Sequence, residues 1–239
     1  MIDLHTHILP YIDDGAATYE EAVILTELLR KQNVEVAVCT PHFDPSRITM
    51  TDFLEKRASS MSLMKESDIR LLSGSETALN DYLFHYMDLS PLCVENTNYL
   101  LLELPYKKKW ENDLFYKIEH LIDYYGVIPI IAHIERYQAI KKSNKLIKKL
   151  IDIGCIIQVN ADSIVDKKTR ARAFQYMKKG YIDVLASDCH NTKQRMPKIA
   201  EAYEVVRKKF GDDFCLHLMN NSKQIIEGKI LRDKFYYLI

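Results

Sequence analysis

Glycine and proline are scarce, at seven each in 239 residues. There is no Ser/Gly-rich linker, internal repeat or low-complexity segment, so nothing marks a boundary between domains. Neither sign of charge dominates. The 33 Lys and Arg balance 33 Asp and Glu, a net charge of zero. Nucleic acid and membrane surfaces call for a basic face, so neither is expected as a main partner. Long apolar runs are missing too: none approaches the roughly 18 residues of a transmembrane helix. Met1 leads within four residues into His5, so no leader peptide is expected. Cysteine is thinly spread, at Cys39, Cys93, Cys155, Cys189 and Cys215, an odd number with no Cys-x-x-Cys pair. A disulfide framework is excluded, and reduced thiols in the cytoplasm are expected.

What is present is an ordinary globular balance, 47% hydrophobic and 28% charged, with ample material for a core. Strand and helix signals alternate. Strands are expected at Met1–Leu4, Val34–Cys39, Ile69–Ser73, Tyr99–Leu102, Val127–Ala132, Cys155–Val159 and Ile182–Ser187. Thr18 opens a helix to about Lys31, with Glu21 three residues on as an approximate capping box. Further helices are expected at Thr51–Glu66, Glu111–Tyr125, Asn144–Ile153, Thr169–Lys179 and Pro197–Phe210. A weaker amphipathic stretch covers Asn80–Leu89. A short helix near Asp213–Asn220 and an apolar tail, Phe235–Ile239, close the chain. The expectation is α/β, a single domain over residues 1–239 folded as a distorted (β/α)7 TIM-like barrel.

Six of these strands run out into residues that bind metals. The first gives His5-Thr6-His7, the second Thr40-Pro41-His42 and the third Gly74-Ser75-Glu76. The next two give Glu103 and His133, and the last gives Asp188-Cys189-His190. In alternating barrels, chemistry sits on the loops at the strands' C-terminal ends. Residues two apart on a strand share a face, so His5 with His7, and Asp188 with His190, each offer two ligands from one strand. Asp14, in Asp13-Asp14-Gly15, lies on a turn just past the first strand. His5, His7, Asp14, His42, Glu76, Glu103, His133, Asp188 and His190 are too many ligands for one ion. They suit two or three divalent ions, with Mn, Fe or Zn indicated by mixed N/O donors without thiolate. A lone buried histidine is usually a core residue. Here five of the eight histidines fall at strand ends, and His85, His120 and His217 fall in helical stretches.

Phosphate chemistry needs cations beyond the metals. Arg136 follows His133 by three and Arg195 follows His190 by five, both on loops at the same end as the ligands. Arg47 is a third, weaker candidate. The runs Lys107–Lys109 and Lys141–Lys149 read as solvated faces, although the first lies close enough to Glu103 to meet an acidic peptide. Cys189 to Arg195 forms Cys-x5-Arg, the signature of cysteine-dependent tyrosine phosphatases. That loop lacks the glycine such a phosphate cradle usually needs, and Cys189 alternates away from Asp188 and His190. The thiol is read as packing.

Ile2-Asp-Leu-His-Thr-His7, Asp13-Asp14-Gly15, Thr40-Pro41-His42, Ile131-Ala-His-Ile-Glu-Arg-Tyr137, Gln158-Val-Asn160 and Ala186-Ser-Asp-Cys-His-Asn191 together resemble the PHP (polymerase and histidinol phosphatase) superfamily. More narrowly, they resemble its bacterial manganese-dependent protein tyrosine phosphatases of capsule and exopolysaccharide operons. The resemblance implies three metals: one on His5, His7, Glu76 and Asp188, a second on Glu76, Glu103 and His133, and a third on Asp14, His42 and His190. It implies phosphate binding by Arg136 and Arg195. Hydrolysis of phosphotyrosine by metal-activated hydroxide is then expected, with a metal-bound water or a histidine, His42 or His190, protonating the leaving group. The implied substrate is the phosphotyrosine tail of a membrane-linked bacterial tyrosine kinase, and a homo-oligomer is among the implied states. Thr77, where the family often has an aliphatic residue, and the basic Tyr106–Trp110 loop depart from the pattern. Three rivals share parts of the signal: a histidinol-phosphate or other small phosphomonoester phosphatase, an amidohydrolase-like metal hydrolase, and a metal-binding regulatory protein. No strand here ends in the lysine that amidohydrolases often carboxylate.

Overall fold

The structure, a computed structural model, describes residues 1–231. The tail expected at Phe235–Ile239 lies outside the described residues. In chain order the elements are β1 (Ile2–Thr6), α1 (Tyr19–Lys31), β2 (Val36–Cys39), β3 (His42–Phe43), α2 (Met50–Leu63), β4 (Arg70–Ser73) and β5 (Glu76–Ala78). There follow β6 (Tyr99–Glu103), α3 (Asn112–Asp123), β7 (Ile128–Ile131), α4 (Gln138–Lys142), α5 (Lys145–Ile153), β8 (Ile156–Asn160) and α6 (Ala161–Val165). The last are α7 (Arg170–Lys178), β9 (Val184–Ala186), α8 (Ile199–Phe210) and α9 (Asp212–Ile226).

Every strand pairing is parallel, in the orders β1-β2-β4 and β3-β5-β6-β7-β8-β9. The sheet curls until its first strand meets the end of its last. Asp188 N donates to His5 O at 2.8 Å and His7 N donates to Cys189 O at 2.9 Å. Lower in the same seam, Ser187 N donates to the buried Asp3 Oδ1 at 2.9 Å.

Parallel strands covered on both faces are apolar on both, and the sheet divides its side chains into two clusters accordingly. Ala37, Leu100, Leu102, Ile131, Ile157 and Leu185 pack outward against helical residues such as Leu25, Phe53, Ile118 and Val206. Leu4, Val38, Leu72, Leu101, Ile130, Ile156 and Val184 fill the inside of the curl at the strands' N-terminal half, together with Ile225 of α9.

Thr18 caps α1 as expected, its hydroxyl accepting from Glu21 N. The reciprocal half of the capping box is absent, because the Glu21 carboxylate instead takes Ala17 N and Thr192 N. Two helix expectations are corrected. Asn80–Leu89 is not an α-helix but a 3₁₀ turn at Asp81–His85, followed by a second at Ser90–Leu92. The Asn80 and Asp88 side chains take the N–H groups of Tyr82 and Ser90, and Pro91 cannot donate to a continuing helix. The helix expected to stop near Asn220 continues to Ile226. Its Asn221 and Ser222 are not a surface stop but buried residues, Asn221 Nδ2 donating to Asp183 O and Ser222 Oγ to Leu218 O.

Candidate metal centre

The side chains that line the C-terminal edge of the sheet reach its interior by three routes. Alternation is the first. Val38 lies inside, and so by period two does His42; Leu72 leads likewise to Glu76, and Leu101 to Glu103. Register puts His42 directly beside Glu76, and Glu76 beside Leu101. The second route is a bulge in β1. Asp3 pairs with Ala37 but Thr6 with Cys39, so β1 carries one extra residue between them. Leu4 belongs to the interior cluster, yet His5 and His7 also face inward, which only such a slip allows. The third route is a left-handed residue. His133 has φ 33° and Asp188 φ 54°. Such non-glycine conformations cost on the order of 1–3 kcal/mol each and persist only where the surroundings hold them. Both sit two residues past a strand and turn their side chains into the cluster.

All nine expected ligand residues gather there. His5 Nε2 lies 3.1 Å from His7 Nε2, 3.2 Å from Glu76 Oε2 and 3.4 Å from Asp188 Oδ1. His42 Nδ1 is 3.1 Å from Glu76 Oε2, and His42 Nε2 is 3.3 Å from Asp14 Oδ1. His133 Nε2 is 2.7 Å from Glu76 Oε1 and 3.6 Å from Glu103 Oε1. His190 Nε2 is 3.5 Å from Asp14 Oδ1. Three groupings have ligand atoms mutually within 4.8 Å: His5, His7, Glu76 and Asp188; His7, Asp14, His42 and His190; and His42, Glu76 and Glu103. Two ligands about 2.1 Å from a shared ion stand roughly 3.0–3.4 Å apart, the spacing seen here.

The donors are also prepared as ligands. Asp13 Oδ2 accepts from His7 Nδ1 at 2.7 Å, and the Asp188 carbonyl accepts from His190 Nδ1 at 3.0 Å. Each bond leaves Nε2 facing the cluster, and the buried His190 Nε2 has no hydrogen-bond partner. The surrounding carboxylates favour positive charge at the centre, a proton where no metal ion sits. Burial opposes a charged His7, yet the Asp13 and Glu76 carboxylates outweigh it and raise His7 to about 10. Burial also opposes charge on Glu76, but His5 and His133 hold it well below the ordinary carboxylate range. Glu103 is pushed upward by burial and by Glu76 beside it. His190 falls to about 2, from burial first and then from the charge on His7.

Both expected arginines meet at one carboxylate. Arg136 Nη2 lies 2.8 Å from Asp188 Oδ2 and Arg195 Nη2 lies 2.8 Å from Asp188 Oδ1, each side chain about one-third exposed. Arg47 is 84% exposed and pairs with Asp44, on the wall of a cleft of about 520 Å³ shared with Asp14, His42, Glu76 and Glu103. Cys189 is fully buried in the outer cluster, and burial drives its thiol far above the ordinary range. Its outward direction comes from the left-handed Asp188 before it, not from unbroken strand alternation.

Five residues that support the centre escape a reading of strand ends. Asp13 holds His7, and also takes His42 N at 3.0 Å. Tyr106 lies over His133 with its hydroxyl 3.4 Å from Nδ1, though nothing distinguishes it among 15 tyrosines. Gln158 and Asn160 lie inside the curl, and their signal was the two-residue spacing at the end of β8. Arg57 is buried and donates to Gly74 O and Pro91 O, pinning the break before Glu76.

The family model described as capsular polysaccharide synthesis, CpsB/CapC, matches residues 1–227. The chain belongs to the CpsB/CapC family. CpsB of Streptococcus agalactiae, a tyrosine-protein phosphatase, is 29% identical over 242 residues, covering 95% of this chain and 99% of its own. YwqE of Bacillus subtilis, also a tyrosine-protein phosphatase, is 29% identical over 248 residues, covering 97% and 93%. A solved structure from the pair YwqE of Bacillus subtilis and CpsB of Streptococcus pneumoniae, described as metal-dependent tyrosine phosphatases, superposes with a TM-score of 0.86. It covers all of both chains at 24% identity, so this CpsB/CapC member shares its fold.

Proposed function

We propose that this CpsB/CapC protein is a metal-dependent phosphotyrosine-protein phosphatase. The observation that carries the reading is the gathering of seven His, Asp and Glu side chains with Glu76 and Asp188, the latter held by two arginines. Two or three divalent ions, Mn before Fe or Zn, would be held by His5, His7, Glu76 and Asp188, by Glu76 and Glu103 with His42 or His133, and by Asp14, His42 and His190. Bound there, they would supply Lewis-acid charge and a nucleophile at neutral pH. The protein's own groups do the rest. Arg136 and Arg195, steadied on Asp188 and still open to solvent, orient the phosphoryl oxygens and offset their charge. Of the five clustered imidazoles, His42 is the exposed one, its side chain 37% accessible, so in the two-ion arrangement, which leaves it unligated, it is the histidine placed to hand a proton to the departing tyrosine.

We read the nine strand segments as seven staves of a distorted (β/α)7 barrel, with β2 continuing into β3 and β4 into β5, and residues 1–239 as one PHP-type catalytic unit. The substrate we assign is the phosphotyrosine tail of a membrane-linked bacterial tyrosine kinase. Five free, buried cysteines suit a reducing cytoplasm, and no helix among the described residues is long and apolar enough to cross a membrane.

The test is turnover of a phosphotyrosine peptide by protein stripped with chelator, then resupplied with Mn²⁺. Activity should vanish and return. Full turnover by metal-free protein would sink the reading. Faster turnover of histidinol phosphate than of the peptide would move the substrate while keeping the site.

A further inference from the structure

Six strands bring ionisable groups to the centre, whereas β8 brings two amides. Gln158 and Asn160 are fully buried and follow Ile156 on the interior face. Their bonds have a fixed direction. Gln158 Oε1 accepts the backbone N–H of His133 at 2.6 Å, which only the amide oxygen can do. Its Nε2 therefore points the other way and donates to Asn160 Oδ1 at 2.7 Å. That leaves Asn160 Nδ2, which donates to Asp188 Oδ2 at 2.6 Å. Flipping either amide would set donor against donor or leave a buried carboxylate without its partner.

His5 is caught by the same chain. Its Nδ1 faces Gln158 Oε1 at 3.4 Å, and an oxygen already fixed as acceptor requires the proton to sit on Nδ1. His5 Nε2 is then the nitrogen left for an ion, among His7 Nε2, Glu76 Oε2 and Asp188 Oδ1. His7 and His190 have their own holders, in Asp13 and the Asp188 carbonyl. His5 has Gln158.

We propose that Gln158 and Asn160 are positioning residues that set the His5 tautomer, seat His133, and turn Asp188 so that Oδ1 faces the cluster. The proposal rests on the metal reading above. An amide suits the task where a carboxylate would not. Gln158 must accept from two groups and donate to a third, and the centre already gathers the carboxylates of Asp13, Asp14, Glu76, Glu103 and Asp188. A carboxylate there could accept from His5 and His133 but could not donate to Asn160, and it would add charge to that set.

Two measurements on the whole protein test this. Nitrogen-15 NMR of the metal-free form should show His5 protonated at Nδ1, and Gln158→Met should release that preference. Calorimetric Mn²⁺ titration should show Gln158→Met weakening binding by roughly ten- to a hundredfold, the usual effect of removing such a holder. Gln158→Glu keeps the acceptor, so it should restore the tautomer and recover part of the affinity. Asn160→Ala should weaken binding less, within about tenfold. A wild-type His5 with no proton on Nδ1 overturns the proposal, as does wild-type Mn²⁺ affinity in Gln158→Met. Equal weakening by Met and Glu also overturns it, since that is a packing role. If Gln158→Met folds poorly, the wild-type tautomer and the Glu variant still decide. Wild-type protein that binds no Mn²⁺ defeats the metal reading instead, and the His5 tautomer then tests the amides separately.

Discussion

The two halves of the sheet's interior are built from the same strands and obey opposite rules. In the N-terminal half, Leu4, Val38, Leu72, Leu101, Ile130 and Val184 pack as an apolar cluster. One to four residues further along the same strands, the interior holds imidazoles and carboxylates packed closely enough that His5 and His7 nitrogens stand 3.1 Å apart. The first half is held by close packing, and a removed methyl group there leaves a void. The second is held by directed bonds from Asp13, Gln158, Asn160 and the two arginines. Rigidity in one half is what allows like donors to be crowded together in the other.

Substitutions at either level sharpen this contrast. Glu76→Ala should have the largest effect. Glu76 contacts His5, His7, His42 and His133, so its loss leaves cations and bound ions facing each other. Turnover of a phosphotyrosine peptide should fall at least about a thousandfold, equivalent to roughly 4 kcal/mol, with metal content reduced. Retained metal with near-normal kcat would break the contrast. Leu101→Ala, lower on the stave that leads to Glu103, should cost about 2–5 kcal/mol of stability by chemical denaturation. The fraction still folded should turn over at close to the wild-type rate. If that fraction is crippled, the halves are not separable.

Arg136→Ala and Arg195→Ala should each lower kcat/KM roughly 30- to 1,000-fold, about 2–4 kcal/mol, without loss of metal. Lysine should rescue only partly, because an ammonium lacks the planar two-pronged contact. Normal rates in both alanine variants would point to a substrate without phosphate. Cys189→Ser should do least. It alters one atom in the outer cluster, so activity should stay within about a hundredfold and stability within roughly 1–3 kcal/mol. A phosphocysteine intermediate, found by mass spectrometry, would contradict this.

The order of strands and helices was legible in the sequence because apolar period and capping residues are local signals. So was the set of side chains that gather at the centre, since strand-end His, Asp and Glu stand out against apolar runs. Why those side chains converge was not legible. The β1 bulge and the left-handed backbones of His133 and Asp188 depend on neighbours far along the chain. Asp13 was hidden beside Asp14, and only the fold shows that one supports His7 while the other faces His42 and His190. Arg57 sits in a helix among exposed residues, and its partners, Gly74 O and Pro91 O, are distant in sequence. Asn221 and Ser222 looked like a helix stop because burial cannot be read from polarity alone.

The extra residue in β1 behaves as a phase slip in a wave of period two. On an unbroken strand, neighbours such as Leu4 and His5 stand half a wavelength apart and can never share an address. Here the slip falls between them, so the same strand delivers leucine to the plug and histidine to the centre with no residues spared for a turn. A designer who transplanted Leu-His-Thr-His onto an evenly pleated stave, keeping the leucine inward, would aim both rings at the surrounding helices. Deleting Leu4 from this protein would restore even pleating with both rings still inward and the plug short of its leucine, so the slip is what lets one strand serve both levels.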